Sequence, residues 1–226
     1  MGRKSLFIWM ILLTSLAGFV NAIAIFGYDG TTVSHVTGLV SKFAIGISTG
    51  DFSGSLEILL LILLFMLGAT TSGFITGERA FYLHKSYGFI ILAIGILIPL
   101  AWLDVHNVWL FAFIMGLQNG MVVSFKGIVV RMTHMSGNLT DFGVFLGYKL
   151  RGNKNEKPIT GIIPGTAILS FTVGGIIGIL LYKALKNNIF FIVSGVYVCL
   201  GLIYFVLQKR CKDKDFNGIP DALENK

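Results

Sequence analysis

Charged residues are scarce in this sequence. They make up 13% of its 226 residues, about half the share that is usual in soluble domains. Apolar residues make up 54%, and a soluble protein with so few charges could not cover its own surface. The shortage excludes a soluble enzyme and a nucleic-acid-binding module. It indicates an integral membrane protein whose main partner is the lipid bilayer.

Cysteine and proline are also rare, with two and four residues respectively. Cys199 lies in an apolar run and Cys211 in a basic tail, so we predict two unpaired thiols rather than a disulfide framework. Glycine is abundant instead, at 28 residues, which is typical of closely packed membrane helices. Serine-hydrolase, zinc-protease and nucleotide-binding signatures are missing from the sequence, and we therefore expect no enzymatic activity.

Six apolar runs approach the length of about 20 residues that a membrane-spanning helix needs. They cover residues 5–27, 56–77, 87–103, 108–130, 161–183 and 188–207. Two further segments, 32–49 and 133–150, are long enough to span but carry His, Lys or Asp among several hydroxyl residues. Either both segments cross, giving eight spans, or both are re-entrant or broken helices, giving six.

The distribution of Lys and Arg favours six spans, because basic residues accumulate on the cytoplasmic side. With six spans and a cytoplasmic N-terminus, the outer side keeps little beyond Lys183 and Lys186. Eight spans would move Arg79, Lys85 and Arg131 outside as well. We predict an all-α integral membrane protein with six transmembrane helices, two re-entrant or broken helices and both termini in the cytoplasm.

Two sequence blocks occur twice, in the same order and at an offset of 98 or 99 residues. GFVNA (residues 18–22) is echoed by GLQNG (116–120), and SHVTGL (34–39) by THMSGN (133–138). A run rich in small residues follows each pair, GATTSG at 68–73 and GGIIG at 174–178. The repeats predict a first membrane unit at 1–103, a second at 104–207 and a polar tail at 208–226. Three spans per unit require the two units to insert with opposite orientation, as in many secondary transporters and some channels.

The polar and glycine residues of these blocks are the candidate substrate-binding residues. They are Asn21, Ser34, His35, Thr37, Gly38, Asn119, Thr133, His134, Ser136, Gly137 and Asn138. Ionisable and amide side chains at membrane depth are costly and often mark a transport pathway or proton relay. The same side chains can also serve only as hydrogen-bonding contacts between helices, and that alternative stays open for both Asn and both His residues.

Three basic residues, Lys42, Lys126 and Arg131, lie near the same segments. They either extend to the lipid headgroups or present positive charge to an anionic solute. A metal site at His35 and His134 is a weaker alternative, because two His residues supply too few ligands even with Asp141 nearby.

The C-terminal tail contains a calcium-loop pattern, D-x-D-x-N-G-x5-E, over residues 213–224. The candidate metal ligands are Asp213, Asp215, Asn217, Ile219, Asp221 and Glu224. Only two residues follow Glu224 in this sequence, so we expect no exiting helix of the kind that completes an EF-hand. The tail is therefore either a weak Ca²⁺ site, the one cofactor that the sequence suggests, or a disordered polar segment.

On these blocks the chain resembles the YoaK family of bacterial membrane proteins, a family of unknown function. The resemblance rests on GFVNA, SHVTG, GLQNG and THMSG and covers residues 10–207. Leu39 departs from it, since the family usually has Asn there, and the second copy keeps Asn138. The resemblance implies a multi-pass protein of the bacterial inner membrane but names no substrate.

The sequence thus favours a transporter or channel-like permease for a small polar solute, with an anion as one candidate. The alternative is a non-transporting scaffold, or a sensor with a calcium-responsive tail. A homo-oligomer remains open under either hypothesis.

Overall fold

The computed structural model describes residues 3–27, 30, 32–77, 84–102, 108–121, 123–125, 128–130 and 132–210. Helices dominate this part of the chain. They are α1 (Arg3–Gly27), α2 (Val36–Thr49), α3 (Phe52–Thr76), α4 (Lys85–Leu97), α5 (Val108–Gly120), α6 (Met135–Leu150), α7 (Ile159–Leu185) and α8 (Ile189–Arg210). Short 3-10 helices extend α4 through Ile98–Trp102 and join α7 to α8 through Lys186–Asn188. The helical fold class that the sequence predicts is confirmed at this level.

Within the described residues, three helical stretches are long and apolar enough to cross a membrane: Lys4–Gly27, Phe52–Thr76 and Ile159–Lys209. The third stretch contains both α7 and α8, which meet at Lys186, a residue with a positive φ of 51°. Three shorter apolar helices cover Val36–Thr49, Lys85–Ala101 and Val108–Gly120. The length and composition of these helices indicate a membrane protein.

The fourth apolar run, 108–130, differs from the single span that its composition suggests. Helix α5 ends at Gly120, and an antiparallel hairpin follows, formed by β1 (Val123–Phe125) and β2 (Ile128–Val130). Glycine at the helix end and β-branched residues beyond it favour this change from helix to strand. Hydropathy alone could not reveal it, because helix and hairpin are equally apolar here.

Two helix pairs pack with their backbones in contact, α1 against α7 and α3 against α5. A Cβ atom on Gly18 would overlap the carbonyl oxygen of Phe171, and one on Gly116 would overlap that of Phe65. One turn further along, the Gly175 site lies against Ala22. Because the contacts advance together along both chains, α1 and α7 run parallel. The contact of Gly120 with the Ala69 carbonyl shows the same for α3 and α5.

Helix α8 fixes the direction of α5. The rings of Phe111 and Phe190 lie 5.6 Å apart, and seven residues further along each helix the Tyr197 hydroxyl donates to Gln118 Oε1 over 2.9 Å. Helices α5 and α8 therefore run parallel.

Helix α1 runs in the opposite direction to α8. Gln118, beside Tyr197, donates to the Leu13 carbonyl over 2.9 Å. Four residues earlier in α1, Trp9 Nε1 donates to the carbonyl of Leu200, further along α8, over 3.3 Å. Because α5 runs parallel to α8 and α1 runs antiparallel to α8, α1 and α5 are antiparallel to each other.

The two short helices α2 and α6 pack on α3 and α7 respectively. The chain turns from α2 into α3 at Gly50, which has a φ of 83°, and Asp51 Oδ1 accepts a hydrogen bond from Gly54 N at the start of α3. Gly46 lies beside Ser55 across this turn, so α2 and α3 are antiparallel. Helices α6 and α7 are antiparallel too, because Phe145 covers Gly161 and Phe142 covers Gly165.

Candidate functional site

An asparagine inside α1 holds the chain that precedes α2. The Ser34 hydroxyl donates to Asn21 Oδ1 over 2.8 Å, although α1 continues for six residues beyond Asn21 before it ends at Gly27. The segment before α2 therefore returns to the level of the interior of α1. Asn21 is only 9% exposed, so this bond satisfies the carbonyl oxygen of a buried amide.

The second half of the chain repeats this bond. The Thr133 hydroxyl donates to Asn119 Oδ1 over 2.7 Å, with Asn119 in α5 and Thr133 two residues before the start of α6. Thr133 is 5% exposed. The repeated sequence blocks therefore fold into the same local structure, in which a hydroxyl before the short helix binds an asparagine in the preceding long helix.

A histidine stands at the start of each short helix. His35 precedes α2 with φ −93° and ψ 67°, and His134 precedes α6 with φ −90° and ψ 69°. Neither imidazole caps its helix by a side-chain hydrogen bond, and both residues are exposed. The first backbone amides of α2 and α6 are thus left without a side-chain acceptor, unlike those of α3, which Asp51 caps.

The glycines three residues after the histidines position the two rings. A Cβ atom on Gly38 would lie 2.7 Å from His35 Nδ1, and one on Gly137 would lie 2.6 Å from His134 Nδ1. Both distances are too short for real carbon–nitrogen contacts, so each ring folds over its own first helical turn only because glycine stands there.

The two histidine segments meet at one cavity of about 360 Å³. Its lining consists of corresponding residues from the two halves of the chain. The first half contributes Asn21, Ser34, His35, Val36, Thr37 and Phe65, and the second contributes Asn119, Thr133, His134, Met135, Ser136 and Phe171. The volume is at the lower end of the range for small-molecule sites.

Most of the residues predicted from the sequence line this cavity. Gly38, Gly137 and Asn138 do not. The two glycines lie beneath the histidine rings instead. Asn138 Nδ2 is buried without a hydrogen-bond partner among the described residues, and Leu39, at the corresponding place in α2, is 1% exposed. Asn138 therefore faces the packed side of its helix rather than the cavity.

Sequence reasoning missed four lining residues, Val36, Met135, Phe65 and Phe171. The two phenylalanines lie three residues before the small-residue runs that begin at Gly68 and Gly174. This shared position is the signal that could have identified them. Val36 and Met135 follow the histidines but are apolar, and no chemical property distinguishes them from core residues.

A second cavity, of about 540 Å³, lies between α1 and α7. It shares Asn21 and Phe171 with the first, but its remaining lining is formed by glycine and aliphatic residues together with Thr172. Such a surface suits a hydrocarbon chain better than a polar solute.

Acidic residues are absent from the described lining of the 360 Å³ cavity. Lys42 and Asp141, which occupy corresponding positions on α2 and α6, are both exposed. The side chains of Lys126 and Arg131 lie outside the described residues, as does the whole predicted calcium loop at 213–224. Among the residues that are described, no group of three His, Cys, Asp or Glu side chains could hold a metal ion.

These features define a helical membrane protein with a polar cavity built from the two copies of an internal repeat. Residues 9–203 match a family described as protein of unknown function (DUF1275), and the chain belongs to that family. The match is consistent with the bacterial membrane family that the sequence resembles, while the YoaK name itself stays a prediction. Neither a curated protein nor a solved structure matches the chain.

Proposed function

We propose that the protein is a membrane permease for a small polar solute, which binds in the 360 Å³ cavity between two inverted repeats. The observation that carries the proposal is the lining of that cavity, which pairs Asn21 with Asn119, and His35 with His134. Transporters with inverted repeats place their binding site where the repeats meet, often at broken helices. Polar side chains inside a membrane are costly where they face lipid. At the interface between two repeats they face the protein interior or a cavity instead, where they can bind a solute.

The proposed topology has six spans, formed by α1, α3, α4, α5, α7 and α8, with α2 and α6 re-entrant. It is supported by the helix directions. Helix α5 runs antiparallel to α1, its counterpart in the first half. Helix α7 likewise runs antiparallel to its own counterpart, α3. Helix α2 starts beside Asn21, within the length of α1. Since α3 runs parallel to α5 and therefore antiparallel to α1, and α2 is antiparallel to α3, α2 runs in the same direction as α1. The chain would therefore enter the membrane before α2 and leave on the same side at Gly50.

Labelling of single cysteines in intact cells distinguishes six spans from eight. In a variant with Cys199 and Cys211 replaced by serine, Thr49→Cys should react with an impermeant maleimide from outside. Asn188→Cys should also react from outside and Asn153→Cys only after permeabilisation, in either topology, so these two variants are controls. Protection of Thr49→Cys until permeabilisation would place α2 across the membrane and contradict the inverted repeat.

The contacts also suggest how the site could open to either side. The backbone contacts pair α1 with α7 and α3 with α5, so each pair combines helices from both halves of the chain. Phe171 and Asn21 belong to the first pair, and Phe65 and Asn119 to the second. Rocking of one pair against the other would change access to the cavity while each pair stays intact, which is the alternating-access scheme of such folds.

Uptake into proteoliposomes tests the proposal directly. The purified full-length protein should accelerate the entry of at least one small polar solute from a panel of urea, glycerol, formate, nitrate and chloride. A polysaccharide such as dextran should remain excluded because it is far too large for the cavity. Entry rates equal to those of protein-free liposomes for the whole panel would contradict a permease function.

The alternative function is a non-transporting scaffold or sensor with a calcium-responsive tail. The residues that would bind Ca²⁺ lie outside the described part of the chain, so this alternative rests on the sequence pattern at 213–224 alone. A scaffold would require packed histidines, whereas His35 and His134 are exposed at the cavity. We therefore favour the permease.

A further inference from the structure

We infer that the solute in the 360 Å³ cavity is a small anion. The inference rests on the proposed function, since it specifies the chemistry of the same site. Three features of the lining support it: an unused amide donor in each half, two uncapped helix N-termini and the lack of carboxylates in the described lining.

The unused donor is the amide nitrogen of Asn21. This residue is 9% exposed and lines the cavity, and its carbonyl oxygen is already taken by the Ser34 hydroxyl. Its Nδ2 group donates to no described residue. This nitrogen is not among the fully enclosed atoms that lack a partner in the described part of the chain, so it is open to the cavity, and a ligand that accepts hydrogen bonds can reach it.

The second half presents the same donor. Thr133 holds Asn119 through its carbonyl oxygen, and the Asn119 Nδ2 group likewise donates to no described residue. In both halves the hydroxyl residue thus fixes the orientation of the amide. The oxygen is used within the protein, and the two NH₂ groups remain for the ligand.

The helix N-termini add positive potential at the same place. The residues that start α2 and α6, from His35 to Thr37 and from His134 to Ser136, line the cavity. Their first turns contain no acidic residue and have no side-chain cap. A helix N-terminus carries roughly half a positive charge, and its free amides bind anions in many proteins.

The rest of the lining is consistent with an anion and unfavourable for a cation. The described lining contains no carboxylate, so nothing there would neutralise a positive ligand. The volume of about 360 Å³ accommodates small-molecule anions, and a halide, nitrate and formate are the simplest members of that class.

Binding can be measured as thermal stabilisation of the full-length protein in detergent. Sodium nitrate, chloride or formate should raise the melting temperature with a saturable dose dependence, relative to sodium gluconate at equal ionic strength. Urea and glycerol should give no saturable rise. A rise that does not saturate, or one that gluconate reproduces, would be a general salt effect and would overturn the anion site.

Substitution of the two asparagines makes the test specific. Asn21→Asp and Asn119→Asp keep the shape and the acceptor for the hydroxyl but replace the donor with an oxygen, so each should weaken anion binding at least tenfold. Asn188→Asp, in an exposed turn between α7 and α8, adds the same charge away from the cavity and should leave binding unchanged. Should Asn21→Asp fail to fold, Asn119→Asp, which is less buried, carries the prediction.

Unchanged anion binding in a folded asparagine variant would overturn the inference. The outcomes also separate the two proposals. Transport of urea or glycerol without anion binding would refute the anion and keep the permease. Saturable, Asn-dependent anion binding without transport of any solute would keep the anion site and refute the permease.

Discussion

Replacing Gly18 with alanine is expected to lower the melting temperature of the protein sharply, with a loss of about 3 kcal/mol in folding free energy. The added methyl group would overlap the carbonyl oxygen of Phe171 in α7. A backbone atom cannot move aside as a flexible side chain can, so the two helices would have to separate. Overpacking of this kind typically costs about 1–3 kcal/mol, and a rigid backbone neighbour places the variant at the upper end.

Three further variants complete the measurement. Gly116→Ala should be equally destabilising, because its methyl group would overlap the Phe65 carbonyl in the corresponding pair of α3 and α5. Gly143→Ala and Gly195→Ala are the matched controls, since nothing lies within 4 Å of a Cβ atom at either position. Equal melting temperatures for Gly18→Ala and Gly143→Ala would mean that α1 and α7 are not in backbone contact.

Much of the candidate site could be predicted because the chain contains two copies of it. The offset of 98 or 99 residues relates Asn21 to Asn119 and His35 to His134. The structure places both pairs in the lining of one cavity. The hydroxyl residues before each histidine were predicted on the same basis, and the structure assigns them a specific role in binding the two asparagines.

Other features depend on contacts that one sequence does not reveal. The change from α5 to a hairpin at Gly120 is hidden because hydropathy does not distinguish a helix from a short strand pair of the same composition. Asn138 was predicted to bind solute, yet it replaces the packed Leu39 of the first copy and lies outside the cavity lining. Which face of α6 meets α7 is decided by Phe142 and Phe145, and the polar pattern alone gave no indication of it.

Replacing either histidine with alanine should reduce solute flux in proteoliposomes at least tenfold while leaving the melting temperature close to that of the unmodified protein. His35 and His134 line the cavity, are exposed and make no side-chain cap to their helices. Their removal therefore deletes polar groups from the site without deleting a hydrogen bond of the fold. A lower melting temperature with unchanged flux per folded molecule would instead assign both residues to structure.

The glycine beneath each ring provides a control. Its substitution tests whether solute flux depends on the position of the histidine ring or only on the presence of a histidine. Gly38→Ala should also reduce flux, because its methyl group would displace the His35 ring from a separation of only 2.7 Å at Nδ1. In the double variant His35→Ala/Gly38→Ala there is no ring to displace, so the second substitution should add almost nothing. Contacting residues that act through one another give such non-additive effects, whereas independent residues add within about 0.5 kcal/mol. Additive losses in flux would show that Gly38 acts on the helix rather than on the imidazole, and the proposed placement of His35 at the site would then be wrong.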